Sequence, residues 1–159
     1  MDILLDPNAN KEELSTGEEL LQFLTFSVGK DMYGLELLSV HEILKPVPIT
    51  RIPNVEESIL GVINLRGEII PIIDLRKKFD LGYTELVHNS RFIVIMHEEK
   101  RVGLFVDEVK GVIKIYRSDL STTSSELSLN YNNLAESVSR YNGNLILNLS
   151  IEHLANFTD

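Results

Sequence analysis

The chain reads as a mainly β protein made of two small closed barrels side by side, and three observations lead there. Short apolar segments with period-two alternation recur along its length, separated by Gly, Asn and Asp turns. Helical periodicity is scarce. The order of the segments repeats once, so two similar halves are expected, over about 20–80 and 90–156. Closing each set of strands into a barrel removes exposed sheet edges.

Residues 22–28 open the pattern, with Leu24, Phe26 and Val28 on one face and Phe23, Thr25 and Ser27 on the other. A second strand over 33–37 follows the turn Gly29-Lys30-Asp31. A third, over 39–44, is closed by Pro46-Val47-Pro48, because proline supplies no N–H to a ladder. A short helix is expected over 55–60. The densest signal is 61–79: a strand over 62–65, a bend at Arg66-Gly67, a strand over 68–73, and a short helix over 75–79 capped by Asp74. Arg76-Lys77-Lys78 reads as the solvated face of that helix.

Residues 92–96 and 102–106 are apolar on both faces, which predicts strands buried on both sides at the seam between the barrels. The charged turn His97-Glu98-Glu99-Lys100 joins them. Residues 112–116 alternate again, and 118–133, rich in Ser, Thr and Asn, read as a surface loop. The last strand, 145–149, enters from Tyr141-Asn142-Gly143-Asn144 and leads to a helix over 151–156 capped by Ser150.

The repeat rests on three correspondences. Tyr33-Gly34-Leu35-Glu36-Leu37 matches Val102-Gly103-Leu104-Phe105-Val106, and Val40-His41-Glu42-Ile43 matches Val106-Asp107-Glu108-Val109. Gly67-Glu68-Ile69-Ile70 with Asp74 and a helix matches Gly143-Asn144-Leu145-Ile146 with Ser150 and a helix.

Composition narrows the function. The 159 residues include no cysteine, which excludes disulfides, a thiol nucleophile and thiolate metal sites. No apolar run approaches the ~18–20 residues of a membrane span, and no secretory leader is visible, so a cytoplasmic location without direct membrane insertion is expected. The two N-glycosylation patterns at Asn148 and Asn156 then read as chance. Net charge is −9, and residues 1–20, with six acids and one base, carry −5 of it. Residues 1–18 therefore read as an acidic flexible tail on a domain over 19–159, with barrels over about 20–80 and 90–150. No cluster of Lys and Arg is dense enough for a nucleic-acid backbone, and the aromatics fall mostly on apolar faces.

Catalytic and metal signatures are missing. His41, His88, His97 and His153 have no partner at metal-ligand spacing. There is neither a nucleophile elbow nor a phosphate-cradling loop. No enzyme, cofactor or metal is expected.

One set of motifs is specific. Gly61-Val62-x-Asn64-Leu65-Arg66-Gly67 followed by Pro71-Ile72-x-Asp74-Leu75-Arg76-x-x-Phe79 resembles the signature of the CheW family, the coupling proteins of bacterial chemotaxis. Phe23-Leu24-x-Phe26, Tyr33-Gly34-Leu35, Val40-x-Glu42-Ile43, Thr50-Arg51-Ile52-Pro53, Gly103-x-x-Val106-Asp107-x-Val109 and the closing Leu147-x-x-Ser150-Ile151-Glu152-x-Leu154 follow in the family's order. Two departures stand out: Ser150 replaces a frequent Asp, and Asn148 interrupts an apolar run.

The resemblance implies two five-stranded SH3-like barrels and a non-catalytic adaptor. It would link the cytoplasmic hairpin tip of methyl-accepting chemotaxis receptors to the regulatory domain of the histidine kinase CheA, recruited to membrane receptor arrays. It selects Val40, Glu42, Gly61, Arg66 and Val112, with Ile43 and Asn64 beside them, as receptor- or kinase-binding residues. Arg66 would donate a bidentate pair of hydrogen bonds to a partner, and Glu42 would hold it or face the partner itself. Gly61 would keep space for close approach. Taken as residues alone, Val40, Ile43 and Val112 are equally core positions, and Glu42 with Arg66 an exposed ion pair. A module of a larger signalling protein and a small-barrel nucleic-acid binder are the alternatives.

Overall fold

The computed structural model describes residues 18–122, 131 and 133–156. The acidic tail expected over 1–18 lies outside them apart from Glu18, as does most of the loop expected over 118–133.

The elements in order are β1 (Leu20–Val28), β2 (Asp31–Glu36), β3 (Val40–Leu44), β4 (Ile59–Leu65), β5 (Glu68–Asp74), α1 (Leu75–Lys78), β6 (Arg91–His97), β7 (Lys100–Val106), β8 (Glu108–Tyr116), β9 (Ser121–Thr122), β10 (Ala135–Tyr141), β11 (Asn144–Leu149) and α2 (Ile151–Asn156). They form the expected mainly β architecture of two sheets. One runs β8-β1-β2-β11-β10-β9 and the other β3-β6-β7-β5-β4. The two-residue β9 makes the first sheet six-stranded where five were expected.

The sheets do not divide along the chain into 20–80 and 90–150, which corrects the expected barrel boundaries. β1 and β2 join the six-stranded sheet, while β3, β4 and β5 join the other. The second half mirrors this: β6 and β7 go to the five-stranded sheet, and β8, β10 and β11 to the six-stranded one. Each half thus gives a hairpin to one sheet and three longer strands to the other, and the second half adds the two-residue β9 at the edge of the six-stranded sheet. The repeat read from the sequence survives as this exchange. β2 pairs in parallel with β11, Gly34 opposite Asn148, as β7 pairs in parallel with β5, Gly103 opposite Ile72. Both glycines are needed there. A Cβ on Gly34 would lie 2.4 Å from Asn148 Oδ1, and one on Gly103 2.4 Å from Ile72 Cδ1.

Burial follows the same logic. Phe92, Val94 and Phe105 point into the five-stranded sheet's own core with Ile63, Ile70 and Ile72. Ile93, Ile95, Val102 and Leu104, on the opposite faces of β6 and β7, meet Leu24, Phe26, Val28 and Leu35 of the other sheet. The two-faced apolar strands therefore do form the seam. The six-stranded sheet encloses a smaller core of Phe23, Ile113, Ile115 and Ile146. Asn148 enters that region where its repeat mate is Ile72. Its Nδ2 donates to Ser137 Oγ at 3.1 Å, and its buried Oδ1 has no hydrogen-bond partner among the described residues.

Two short segments pin β5 and β4. Asp74, 1% exposed, accepts from the backbone N–H of Arg76 at 3.0 Å and caps α1 as expected. It also accepts from Thr84 N–H at 2.8 Å and Thr84 Oγ1 at 2.6 Å, which ties down the chain after the helix. Ser150 caps α2 likewise, accepting from His153 N–H at 3.2 Å. The helix expected over 55–60 is absent: Asn54 adopts φ 61, and Ile59 pairs with Ile73 in β4. Six residues, three of them apolar, offer too little length for a helix against that ladder. Strand β10 was not anticipated, because a bulge between Ala135 and Ser137 breaks its alternation. Nor is the α1 face solvated: Lys77 pairs with Glu57 at 3.0 Å, Lys78 with Glu56 at 3.2 Å, and Arg76 with Asp107.

Thr50 forms an isolated bridge to Val62, with both N–H···O bonds at 2.8 Å, and crosses directly over Gly61. A Cβ there would lie 2.2 Å from Thr50 O, and Gly61 sits at φ 146. Gly61→Ala is therefore expected to lose at least about 3 kcal/mol of stability in denaturant unfolding; a loss under about 1 kcal/mol would mean that the crossing relaxes freely. Asp74→Ala removes the cap and strands the buried Thr84 donors, for an expected loss of about 3 kcal/mol by the same assay.

Candidate functional site

The Arg66 turn has an unusual build. Leu65 pairs with Glu68, leaving Arg66-Gly67 as a two-residue hairpin loop with φ 51 and 86. Positive φ at both central positions defines the type I′ turn, which normally takes Asn-Gly or Gly-Gly. The repeat mate follows that rule: Asn142-Gly143 has φ 51 and 79. Arginine occupies a backbone region that disfavours side chains beyond Asn, Asp and Gly. Asn64 compensates, its Oδ1 accepting from Gly67 N–H at 2.9 Å. Asn64 is thus a turn-holder.

Arg66 projects to solvent, its side chain 68% exposed, and grips Glu42 with both terminal nitrogens. Nη1 donates to Oε1 at 3.2 Å and Nη2 to Oε2 at 2.5 Å. Glu42 belongs to β3 and Arg66 to the β4–β5 turn, so the pair joins the two ends of the five-stranded sheet. The guanidinium's hydrogen bonds hold the Glu42 carboxyl below its ordinary value of 4.5, against a smaller opposing effect of burial. The Arg66 guanidinium is raised in turn by the same hydrogen bonds. This is a surface pair with preformed fork geometry, suited to recognition more than to stability.

Glu42 also lines a groove of about 730 Å³. Val40 and Ile43 line it too, half-buried against the inter-sheet core. Leu38, on the single 3₁₀ turn Leu37–Ser39 between β2 and β3, stands at its lip 86% exposed. Across from β3, Glu108 and Val109 at the start of β8 supply the opposite wall. These are the repeat mates of Glu42 and Ile43. The groove therefore runs where the two halves exchange strands, and its walls come from both sheets.

The other expected contact residues lie elsewhere. Gly61 is buried beneath Thr50, so its glycine serves the chain's own crossing. Val112 sits farther along β8 opposite Leu24, half-buried against the inter-sheet core and outside the groove lining. Sequence reading missed Leu38, Glu108 and Val109 as site residues. The repeat itself points to the last two, since Val106-Asp107-Glu108-Val109 matches the β3 segment. Of the histidines, His41 lines the groove, and His153 Nδ1 lies 2.8 Å from Ser150 Oγ. No helix among the described residues is long and apolar enough to cross a membrane.

Comparison with known proteins agrees with this architecture. The family model described as "CheW-like domain" matches residues 22–158. The chemotaxis protein CheW of Helicobacter pylori is 36% identical over 137 residues, covering 86% of this chain and 82% of the relative. That of Bacillus subtilis is 39% identical over 110 residues, covering 69% of each. The crystal structure of the scaffolding protein TtCheW from Thermoanaerobacter tengcongensis superposes with a TM-score of 0.78 at 34% identity, covering 84% of this chain and 86% of that one. With the family match spanning nearly all of the folded residues and the two-sheet fold shared, the chain belongs to the CheW family of chemotaxis scaffold proteins.

Proposed function

We propose that this protein is a non-catalytic adaptor that couples methyl-accepting chemotaxis receptors to the histidine kinase CheA. The receptor's helical hairpin tip occupies the groove between β3 and β8, and the regulatory domain of CheA binds elsewhere on the two sheets. The protein works in the cytoplasm and is recruited to membrane receptor arrays by these contacts. The observation that carries this reading is Arg66: an exposed arginine in a left-handed turn position that its repeat mate fills with Asn, preset by Glu42 at the groove. Backbone strain accepted at one site and avoided at its mate points to a role outside folding.

The physical fit is that of a helix in a groove. Val40, Ile43, Val109 and Leu38 offer apolar contacts to one stripe of a helix. Glu42 in the groove lining and Arg66 paired to it supply directional bonds that fix register. Arg66 can exchange one of its two Glu42 bonds for a partner carboxylate or carbonyl without losing the other. Val40, Glu42, Ile43 and Arg66 are then the receptor-contact residues, with Asn64 acting through the turn it holds. Val112 and Gly61 act through packing of the fold.

Titrating wild type and Arg66→Ala against a receptor hairpin-tip fragment and the isolated CheA regulatory domain tests the assignment. Arg66→Ala is expected to weaken receptor binding about tenfold. Its melting temperature should stay within about 2 °C of wild type. A large melting loss with intact binding would make Arg66 a structural residue only, and wild type binding neither partner near millimolar concentration would remove the adaptor reading.

The ion pair also predicts a pH response. A carboxyl whose folded pKa is depressed adds its stabilisation above the unfolded value and loses it as pH falls through the folded one. In an NMR titration Glu42 should therefore show a midpoint below 4.5 in wild type, moving back toward 4.5 in Arg66→Ala. A wild-type midpoint at 4.5 or above would mean the pair does not persist in solution.

A further inference from the structure

The groove has walls from two different sheets, so its width depends on how those sheets are held relative to each other. Apolar packing at the seam is non-directional, so a directional contact can narrow the range of angles it permits. A directional link exists at Asp107, the residue between β7 and β8 where the chain passes from the five-stranded sheet to the six-stranded one. Its Oδ2 accepts from Arg76 Nη2 of α1 at 2.5 Å, on the five-stranded side. The same oxygen accepts from Gly29 N–H at 2.8 Å, in the β1–β2 turn of the six-stranded sheet. Its own N–H donates to Ser27 O at 3.1 Å. One carboxylate thus ties α1, the β1–β2 turn and the crossover together.

The next two residues are Glu108 and Val109, the groove wall. Asn89 and Glu108 face the groove on one side and, on the other, the cavity that holds Arg76 and Asp107. Arg76 and Asp107 are themselves outside the groove lining. Both are partly buried, with side chains 29% and 21% exposed, so the pair is shielded from solvent more than that of Arg66.

We propose that Asp107 and Arg76 are positioning residues of the adaptor: their ion pair fixes the angle between the two sheets and so sets the groove to the width its helical partner requires. This rests on the groove being the receptor site. The pair itself touches no partner. Breaking it leaves every groove residue present but lets the β8 wall move relative to β3.

The chain has no cysteine, so two can be introduced for spin labels without background. Ile69→Cys on β5 and Leu145→Cys on β11 place one exposed label on each sheet. Double electron–electron resonance then reads the inter-sheet distance in the full chain, alone and with Asp107→Asn or Arg76→Gln added. Asn keeps an acceptor for Gly29 N–H, and Gln keeps the backbone N–H that Asp74 accepts, so the local caps survive in both. Each variant is expected to broaden the distance distribution and to weaken binding of the receptor hairpin-tip fragment about fivefold or more, with melting within about 5 °C. A distribution as narrow as in the unsubstituted labelled chain overturns the proposal. So does a broadened distribution with unchanged receptor affinity, which would make the pair a joint without influence on the groove. Failure of the wild-type chain to bind the fragment removes the adaptor reading instead, and the distance distributions still decide whether the ion pair fixes the sheets.

Discussion

Leu24, Phe26 and Val28 from one sheet meet Ile93, Ile95 and Leu104 from the other in a single apolar layer, and the rest of the molecule is arranged around it. Each half of the chain supplies strands to both sheets, so neither sheet is complete without the other half. A mutation at the seam is felt in both. The exchange also explains why β6 and β7 are apolar on both faces: one face fills the five-stranded sheet's own core and the other fills the seam. It also puts Leu37 and Leu38 of one crossover, and Glu108 and Val109 just after the other, around the same groove.

The internal repeat makes the asymmetries informative. Where two positions share a backbone environment, a difference in side chain has to be explained by something other than local geometry. Asn142-Gly143 satisfies the hairpin turn in the usual way, whereas Arg66-Gly67 accepts strain and recruits Asn64 to hold it. Ile72 packs over Gly103, whereas its mate Asn148 brings a carboxamide over Gly34, with an oxygen unpartnered among the described residues. The first asymmetry lies at the turn whose Arg66 pairs with Glu42, a residue of the groove lining, where directional chemistry is useful. The second weakens the apolar content of the smaller core, and nothing in the structure explains why asparagine is there.

Much of the local structure was legible in the residues. β1, β3, β5, β6 and β7 follow alternation or two-sided apolar character within a residue or two, and the caps at Asp74 and Ser150 act as their chemistry predicts. Of the two roles the motif left open for Glu42, holding Arg66 or facing a partner, the fold shows the pairing with Arg66. The misses have physical causes. β10 hid behind a bulge that interrupts its period, and the short apolar run before Gly61 had a helix pattern that the ladder with β5 overrode. At Gly61 the backbone in close approach is the chain's own Thr50, a contact no spacing rule reveals.

The sequence by itself determined the strand content, the turn at Arg66, the helix caps, the repeat and the family, because each depends on residues near one another in the chain or on a motif read in order. Which strands share a sheet was decided only in three dimensions. A repeated pattern is equally compatible with halves that close on themselves and halves that trade hairpins, since both bury the same alternating faces. The choice between them depends on parallel pairing across long separations, Gly34 beside Asn148 and Gly103 beside Ile72. That choice brings Glu108 and Val109 opposite Glu42 and Ile43, and so creates the groove.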